Sequence, residues 1–191
     1  MNKIYIVTTN KRKFEDYTRR LDGIATTEQL PITLDEGRGM DIKEITASKL
    51  DQAKKKAPHK KIIVDDRGFF ISALHGFPGP FVKILLHILG IENVMKMMED
   101  KEDRKATFHS VIGYYDGKKD YFFEDIEEGF ITHDMRNGNT RGWTDLLQIY
   151  GHKRYPDRAL CELNEREWDE YVKQVEKLDA WSKLVTHLKK N

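Results

Sequence analysis

The sequence holds one cysteine, Cys161, in 191 residues. No internal disulfide can form, and a cysteine-rich metal site is excluded. A reducing compartment suits such a chain. Prolines number only 5, and no Pro- or Ser-rich linker separates one part of the chain from another. An excess of one charge is missing as well, because 33 lysines and arginines face 32 aspartates and glutamates. Sequence-independent nucleic-acid binders usually carry a basic excess, so that class is set aside. No apolar run approaches the roughly 20 residues needed to cross a bilayer. Residues 4–7 are too few for a signal-peptide core, and His87 interrupts the apolar stretch 84–89. The expectation is a cytoplasmic protein with neither nucleic acid nor membrane as partner. The histidines show no metal-ligand spacing.

What is present reads as a globular chain. Apolar residues make up 39% and charged residues 34%, enough to bury a core without disulfides. The expected organisation is a single two-lobed domain over residues 1–191 with one continuous core. Residues 4–7 read as a short buried strand, after which Thr8, Thr9 and Asn10 turn and cap a helix from Lys11. In that helix Phe14, Tyr17 and Leu21 share one apolar face. A second helix is expected over 44–57, ended by Pro58. A strand at 62–64 should close in a turn at Asp65-Asp66-Arg67-Gly68, and another should span 69–74. Gly76 to Pro80 form a stiff turn. Helices follow over 81–89 and 91–98. Residues 106–115 and 121–131 read as a hairpin around Asp116-Gly117. Residues 137–158 look irregular, and helices over 165–178 and 180–189 close the chain. The fold class is α/β: a mixed central sheet with flanking helices and a hairpin-rich second lobe.

The chemistry begins where the first strand meets the first helix. Thr8 to Lys13 place hydroxyls, an amide and cations beside helix N–H groups that lack partners within the helix. This makes a phosphate cradle, although the glycine-lysine pattern of a P-loop is absent. An ordinary capped helix with a basic first turn is the other reading, and cations there oppose the helix dipole. Asp65 and Asp66 at a strand end can hold a hard cation or activate water; magnesium takes one or two carboxylates plus phosphates and water. A turn with local hydrogen bonds is the alternative. Glu36, before Gly37 and Gly39, and Lys83, after the proline-glycine turn, read as surface residues when taken singly.

Together these elements resemble the inosine/xanthosine triphosphate pyrophosphatase family. The motifs run in family order: Thr8-x-Asn10-x-x-Lys13, Glu44-Ile45-x-x-x-Lys49, Val64-Asp65-Asp66-x-Gly68 and Ala73-Leu74-x-Gly76-Phe77-Pro78-Gly79-Pro80-x-x-Lys83. Glu128-Gly129-x-Ile131 and Gly142-Trp143 also fit. The resemblance covers about residues 3 to 151, and the block from Gly76 to Lys83 is its most specific part. It implies hydrolysis of deaminated purine nucleoside triphosphates to monophosphate and pyrophosphate. It also implies Mg2+ as cofactor, a homodimer, and an elongated fold with its active site in a cleft between two lobes. Thr8, Asn10 and Lys13 would bind the triphosphate, Lys49 and Lys83 would reach phosphate or the catalytic network, and Gly68 and Trp143 would meet the substrate. Asp66 would act as general base or metal ligand, with Glu36 and Asp65 as further metal carboxylates. The catalytic set is thus Asp66, Lys13 and Lys83.

The departures are as informative. Thr9 stands where the family has glycine, and Thr144-Asp145 follow Gly142-Trp143 where it has Asp-Pro. The family's Ser-His-Arg triplet, which reads the base, has no counterpart; the aligned residues are 172–174 or 178–180. Arg141, Arg154 and Arg158 remain as candidates to replace its arginine. Two alternatives stay open: a pyrophosphohydrolase for another base or a modified nucleotide, and a non-catalytic nucleotide-binding protein on the same fold.

Overall fold

The computed structural model describes residues 2–35, 37, 39–141 and 144–190. The chain begins β1 (Asn2–Val7), α1 (Lys11–Arg20), β2 (Ala25–Leu30), α2 (Ile42–Lys56) and β3 (Ile62–Ile71). It continues through β4 (Pro78–Gly79), α3 (Val82–Met97), β5 (Lys105–Tyr115), β6 (Asp120–Ile131) and β7 (Tyr150–His152) to α4 (Glu165–Glu176) and α5 (Ala180–Lys190). The strands form one mixed, open sheet in the order β2-β1-β3-β5-β6-β7, with β4 paired to β3. β1 runs parallel to both β2 and β3, whereas β3 with β4 and β6 with β7 are antiparallel. The expected α/β class, a mixed sheet with flanking helices, is what the chain adopts.

The chain divides into two compact units. The first draws on the described residues of Met1–Arg67, Ser110–Asp125 and Glu176–Asn191, the second on those of Gly68–His109 and Ile126–Val175. One continuous core was expected. The buried residues instead form three clusters, each confined to one unit.

In the first unit the sheet itself separates two of them. Ile4 and Ile6 of β1 and Ile63 of β3 pack with Tyr17 and Leu21 of α1 and with Trp181 and Leu184 of α5. Val7, Ile62 and Val64 pack with Leu50 and Ala53 of α2. Side chains alternate across a strand, so α1 and α5 cover one face and α2 the other. The crossovers β1-α1-β2 and β2-α2-β3 run in opposite directions along the sheet, so right-handed connections place α1 and α2 on opposite faces. α2 approaches its face closely at Gly113 of β5, where a Cβ would lie 3.1 Å from Val64 and 3.2 Å from Thr46.

Two elements differ from the sequence reading. β2 was not anticipated, because Ala-Thr-Thr-Glu-Gln-Leu carries little apolar character. As an edge strand held by six parallel pairings to β1, it buries only Ala25. β3 runs unbroken through the expected turn at residues 65–68. The reason is electrostatic: lysines meet the two aspartates, and Gly68 is buried within the strand. The expected division near residue 90 is present as a kink, since Gly90 has φ 71° and ψ 164° inside α3.

The second unit centres on Phe69, Phe108 and Tyr150, whose rings lie 4.7 to 5.6 Å apart. Glu127 is buried beneath them and accepts from the Tyr171 hydroxyl at 2.6 Å. Arg158 grips Glu167 with two parallel 2.8 Å bonds. That guanidinium, and then the Asn164 N–H, hold the Glu167 carboxyl at about 2 against an ordinary 4.5. A depressed carboxylate stabilises the fold fully above its unfolded value and loses that contribution as pH falls through its folded value. Thermal unfolding followed from pH 5 to pH 2 should therefore show a drop between about 4.5 and about 2 that is smaller in Arg158→Ala. Equal drops in the two proteins would remove this pair from acid unfolding.

Candidate active site

The residues singled out by sequence gather, in the first unit, at the carboxyl end of β1 and in the middle of its parallel neighbour β3. Open α/β sheets place their ligand sites at such ends. After Val7 the chain leaves β1 through Thr8 and Thr9 to Asn10, the N-cap of α1. Asn10 Oδ1 accepts from the backbone N–H groups of Arg12 at 3.0 Å and Lys13 at 3.2 Å. Thr8 Oγ1 accepts from the Asn10 N–H at 3.1 Å, and the Thr8 carbonyl accepts from the Gln29 amide. Two of the N–H groups expected to cradle phosphate are thus taken by the cap itself, because an asparagine at this position competes for them locally. The Lys13 ammonium keeps 44% of its side chain in solvent beside this cap.

Each aspartate of β3 is met by one lysine, and from opposite sides. Asp65 has the parity of Ile63 and faces α1, where Lys13 Nζ donates to its Oδ2 at 2.6 Å. Asp66 has the parity of Val64 and faces α2. There Lys49 Nζ lies 2.9 Å from Oδ1 and 2.8 Å from Oδ2. The two pairs differ in exposure. Lys13 keeps 44% of its side chain in solvent, whereas Lys49 keeps 11% and Asp66 17%. A pair as buried as Lys49–Asp66 contributes little net stability, but removing one partner leaves an uncompensated charge.

The structure therefore does not bring Asp65 and Asp66 together around one ion, as the sequence reading had them; the strand alternation that a turn would have relaxed keeps them apart. Magnesium fits the donor set through Asp66. Such an ion takes one or two carboxylates and completes its shell with phosphate oxygens and water. Among the described residues no group of three or more His, Cys, Asp and Glu side chains gathers to form an all-protein cage. Glu36 lies outside the described residues, although its neighbour Asp35 is tied to α2 by Gln52 in both directions.

Two further candidates, Gly68 and Lys83, belong to the second unit. Gly68 is buried in β3, and Lys83 is exposed in the first turn of α3. Gly142 and Trp143 lie outside the described residues. The three arginines expected to replace the missing base-reading arginine are all engaged. Arg141 donates to the carbonyls of Asn139 and Leu163 and lies 4.2 Å from the Trp168 ring. Arg154 bonds Gln174 and Glu170, and Arg158 is clamped on Glu167.

A model of the Ham1 family matches residues 4–173. The chain belongs to the Ham1 family. It is 34% identical over 157 residues to the dITP/XTP pyrophosphatase of Methanosarcina acetivorans, a stretch spanning 79% of this chain and 83% of that protein. It is 30% identical over 151 residues to the inosine triphosphate pyrophosphatase of Kluyveromyces lactis, spanning 76% and 77% of the two chains. The solved structure of a HAM1 protein from Coxiella burnetii superposes with a TM-score of 0.81 at 21% identity over the whole of both chains. At that identity the likeness shows the common fold.

Two aromatic residues pack together on the α1 side of the sheet. Tyr17 counted only as part of an apolar face, and Trp181 as part of a closing helix. The Tyr17 ring packs with its centroid 4.2 Å from that of Trp181. Burial pushes the Tyr17 phenol well above its ordinary value, and Asp65 pushes it the same way.

Proposed function

We propose that the chain hydrolyses non-canonical purine nucleoside triphosphates, of the deaminated class named for its relatives, to monophosphate and pyrophosphate. The observation that carries this reading is the pair of lysine–aspartate contacts beside the carboxyl end of β1, in the middle of β3. An exposed ammonium stands ready for phosphate on one side, and a buried, lysine-held carboxylate lies on the other. Lys13, with Thr8 and Asn10, binds the triphosphate. Asp66 takes a proton from the water that attacks the α-phosphorus. The bond from that phosphorus to the oxygen bridging the β-phosphorus breaks, and pyrophosphate leaves. Lys49 fixes the orientation of Asp66, so the base is in place before substrate arrives. Magnesium, when bound, neutralises phosphate charge and polarises the water; Asp66, with Glu36, would hold it. Lys83, Gly68 and Trp143 enter the proposal on the sequence motifs alone. One functional domain over residues 1–191, a homodimer and a cytoplasmic location also belong to it.

The test is a nucleotide panel with magnesium and with chelator, reading both products. Monophosphate and pyrophosphate are expected, and turnover should stop with chelator. Orthophosphate and diphosphate as initial products would overturn the bond assignment.

Base choice is expected to be loose. A site that pairs with a base edge rejects the wrong base strongly, because buried polar groups are left unmatched. Here the Ser-His-Arg triplet is missing, and Arg141, Arg154 and Arg158 already hold other groups. The kcat/KM values for inosine and xanthosine triphosphates should exceed those for guanosine and adenosine triphosphates by less than about a hundredfold, or 2.7 kcal/mol. A larger ratio would show that another residue reads the base.

A further inference from the structure

β1 ends at Val7, which is paired with Leu30 of β2. The Thr8 carbonyl comes next, and the backbone that follows β2 does not serve it. Pro31 has no N–H, and the Ile32 N–H donates back to the Leu30 carbonyl at 2.8 Å. The donor comes from a side chain instead: Gln29 Nε2 meets the Thr8 carbonyl at 3.0 Å. Gln29 stands opposite Ile6 in the sheet and shares its face of β2 with Thr27 and Ala25. Ala25 packs with Tyr17 and Leu21, and Thr27 Oγ1 lies 2.8 Å from Thr18 Oγ1 of α1. The α1-facing side of this polar edge strand thus holds the helix at one point and the strand-to-helix loop at the next.

Three links in series run from Gln29 to the helix that carries Lys13. The amide fixes the Thr8 carbonyl. Thr8 Oγ1 accepts from the Asn10 N–H at 3.1 Å. Asn10 Oδ1 in turn caps α1 on the N–H groups of Arg12 and Lys13. Ordering a glutamine side chain costs conformational entropy that one neutral hydrogen bond largely offsets. The bond therefore adds little to the stability of the fold. What it fixes is the orientation of the first peptide of the loop before any ligand arrives.

We propose that Gln29 is a positioning residue of the phosphate site: by holding the Thr8 carbonyl, it presets Thr8 and Asn10 for the polyphosphate of the substrate. This role rests on the hydrolase reading for the identity of the ligand and for Thr8 and Asn10 as its contacts. Gln29 itself acts through Thr8. A loop already in its binding shape loses less freedom when the ligand arrives. Contacts from Thr8 and Asn10 to phosphate serve ground state and transition state alike. Loss of their preset shape is a uniform loss, which raises KM and leaves kcat in place.

The test is a double-mutant cycle with Gln29→Met and Thr8→Val. Methionine keeps the reach of glutamine and cannot donate. In nucleotide hydrolysis Gln29→Met should raise KM by about three- to tenfold, the scale of one hydrogen bond, with kcat within about twofold. Its unfolding temperature should stay within about 3 °C of the parent. In the Thr8→Val background the same change should move KM by less than about twofold, because Gln29 acts through the side chain already lost. Calorimetric binding of inorganic tripolyphosphate gives a second reading that needs no turnover, and its Kd should follow the same pattern. A hydrolytically silent protein that shows this pattern for tripolyphosphate would support the role of Gln29 and sink the hydrolase reading. Four results would overturn the inference: unchanged KM and Kd in Gln29→Met, equal effects in both backgrounds, a fall in kcat at unchanged KM, or no tripolyphosphate binding by the parent. The last of these would leave the hydrolase reading standing wherever nucleotide is still turned over. Should Gln29→Met not fold, Gln29→Glu at neutral pH keeps a polar side chain that can only accept, and it should shift KM and Kd in the same direction.

Discussion

Asp66→Asn should lower kcat by about a hundredfold or more, the usual contribution of a positioned general base. Asparagine keeps the shape of the side chain and cannot take up the proton of the attacking water. Lys49 would then face a neutral amide at a site where its side chain is 11% exposed. Stability should fall as well, because a buried ammonium loses its counter-charge. The two effects separate by measurement. Steady-state kinetics run well below the unfolding temperature, with the folded fraction checked by circular dichroism, report the chemical step. KM should move far less than kcat, since the proposed triphosphate contacts are Thr8, Asn10 and Lys13. Asp65→Asn is the internal contrast. It sits one residue away but on the other face, and it should act on KM through Lys13 while leaving kcat nearly intact. An Asp66→Asn protein as active as the parent on its best nucleotide would remove Asp66 from the mechanism.

The contrast between these neighbours shows where sequence reasoning stopped. The Thr8-x-Asn10-x-x-Lys13 motif was readable because a capped helix start is a local event. Asn10 makes that cap as expected, yet by doing so takes the N–H groups of Arg12 and Lys13 that had been assigned to phosphate. Asp65 and Asp66 were visible as a pair, but their division between two faces was not. Two carboxylates and a glycine in succession look like a turn, and only lysines 52 and 17 residues away let the strand continue. Such long-range compensation leaves no local trace. β2 was invisible for the opposite reason, because an edge strand held by backbone pairing needs little apolar patterning. The kink at Gly90 was legible, since a glycine between two apolar helical stretches marks a break. Tyr17 has the spacing of a core residue and packs as one.

Gly129→Ala should destabilise the protein by about 3 kcal/mol, at the upper end of what overpacking does. Gly129 belongs to the Glu128-Gly129-x-Ile131 motif and pairs in β6 against His152 of β7. A Cβ there would lie 2.3 Å from the Gly151 carbonyl oxygen and 2.4 Å from Tyr150 Cζ. Neither neighbour can yield cheaply. The first is backbone held in the strand pairing. The second is the ring of a fully buried tyrosine, wedged against Phe69 and Phe108 with its hydroxyl on the Glu127 carbonyl. Relief would require β7 to move off β6 or Tyr150 to leave the core. For a chain of this length the loss corresponds to a fall of about 6–12 °C in Tm. Gly39→Ala is the matched control. Its nearest neighbours, the Asp41 nitrogen and Glu44 Oε2, are both 4.0 Å from the added carbon, so stability should stay within about 0.5 kcal/mol of the parent. If thermal unfolding of Gly129→Ala lay within a degree or two of the parent, β6 and β7 would have room to spare. The glycine of this motif would then need an explanation other than close packing.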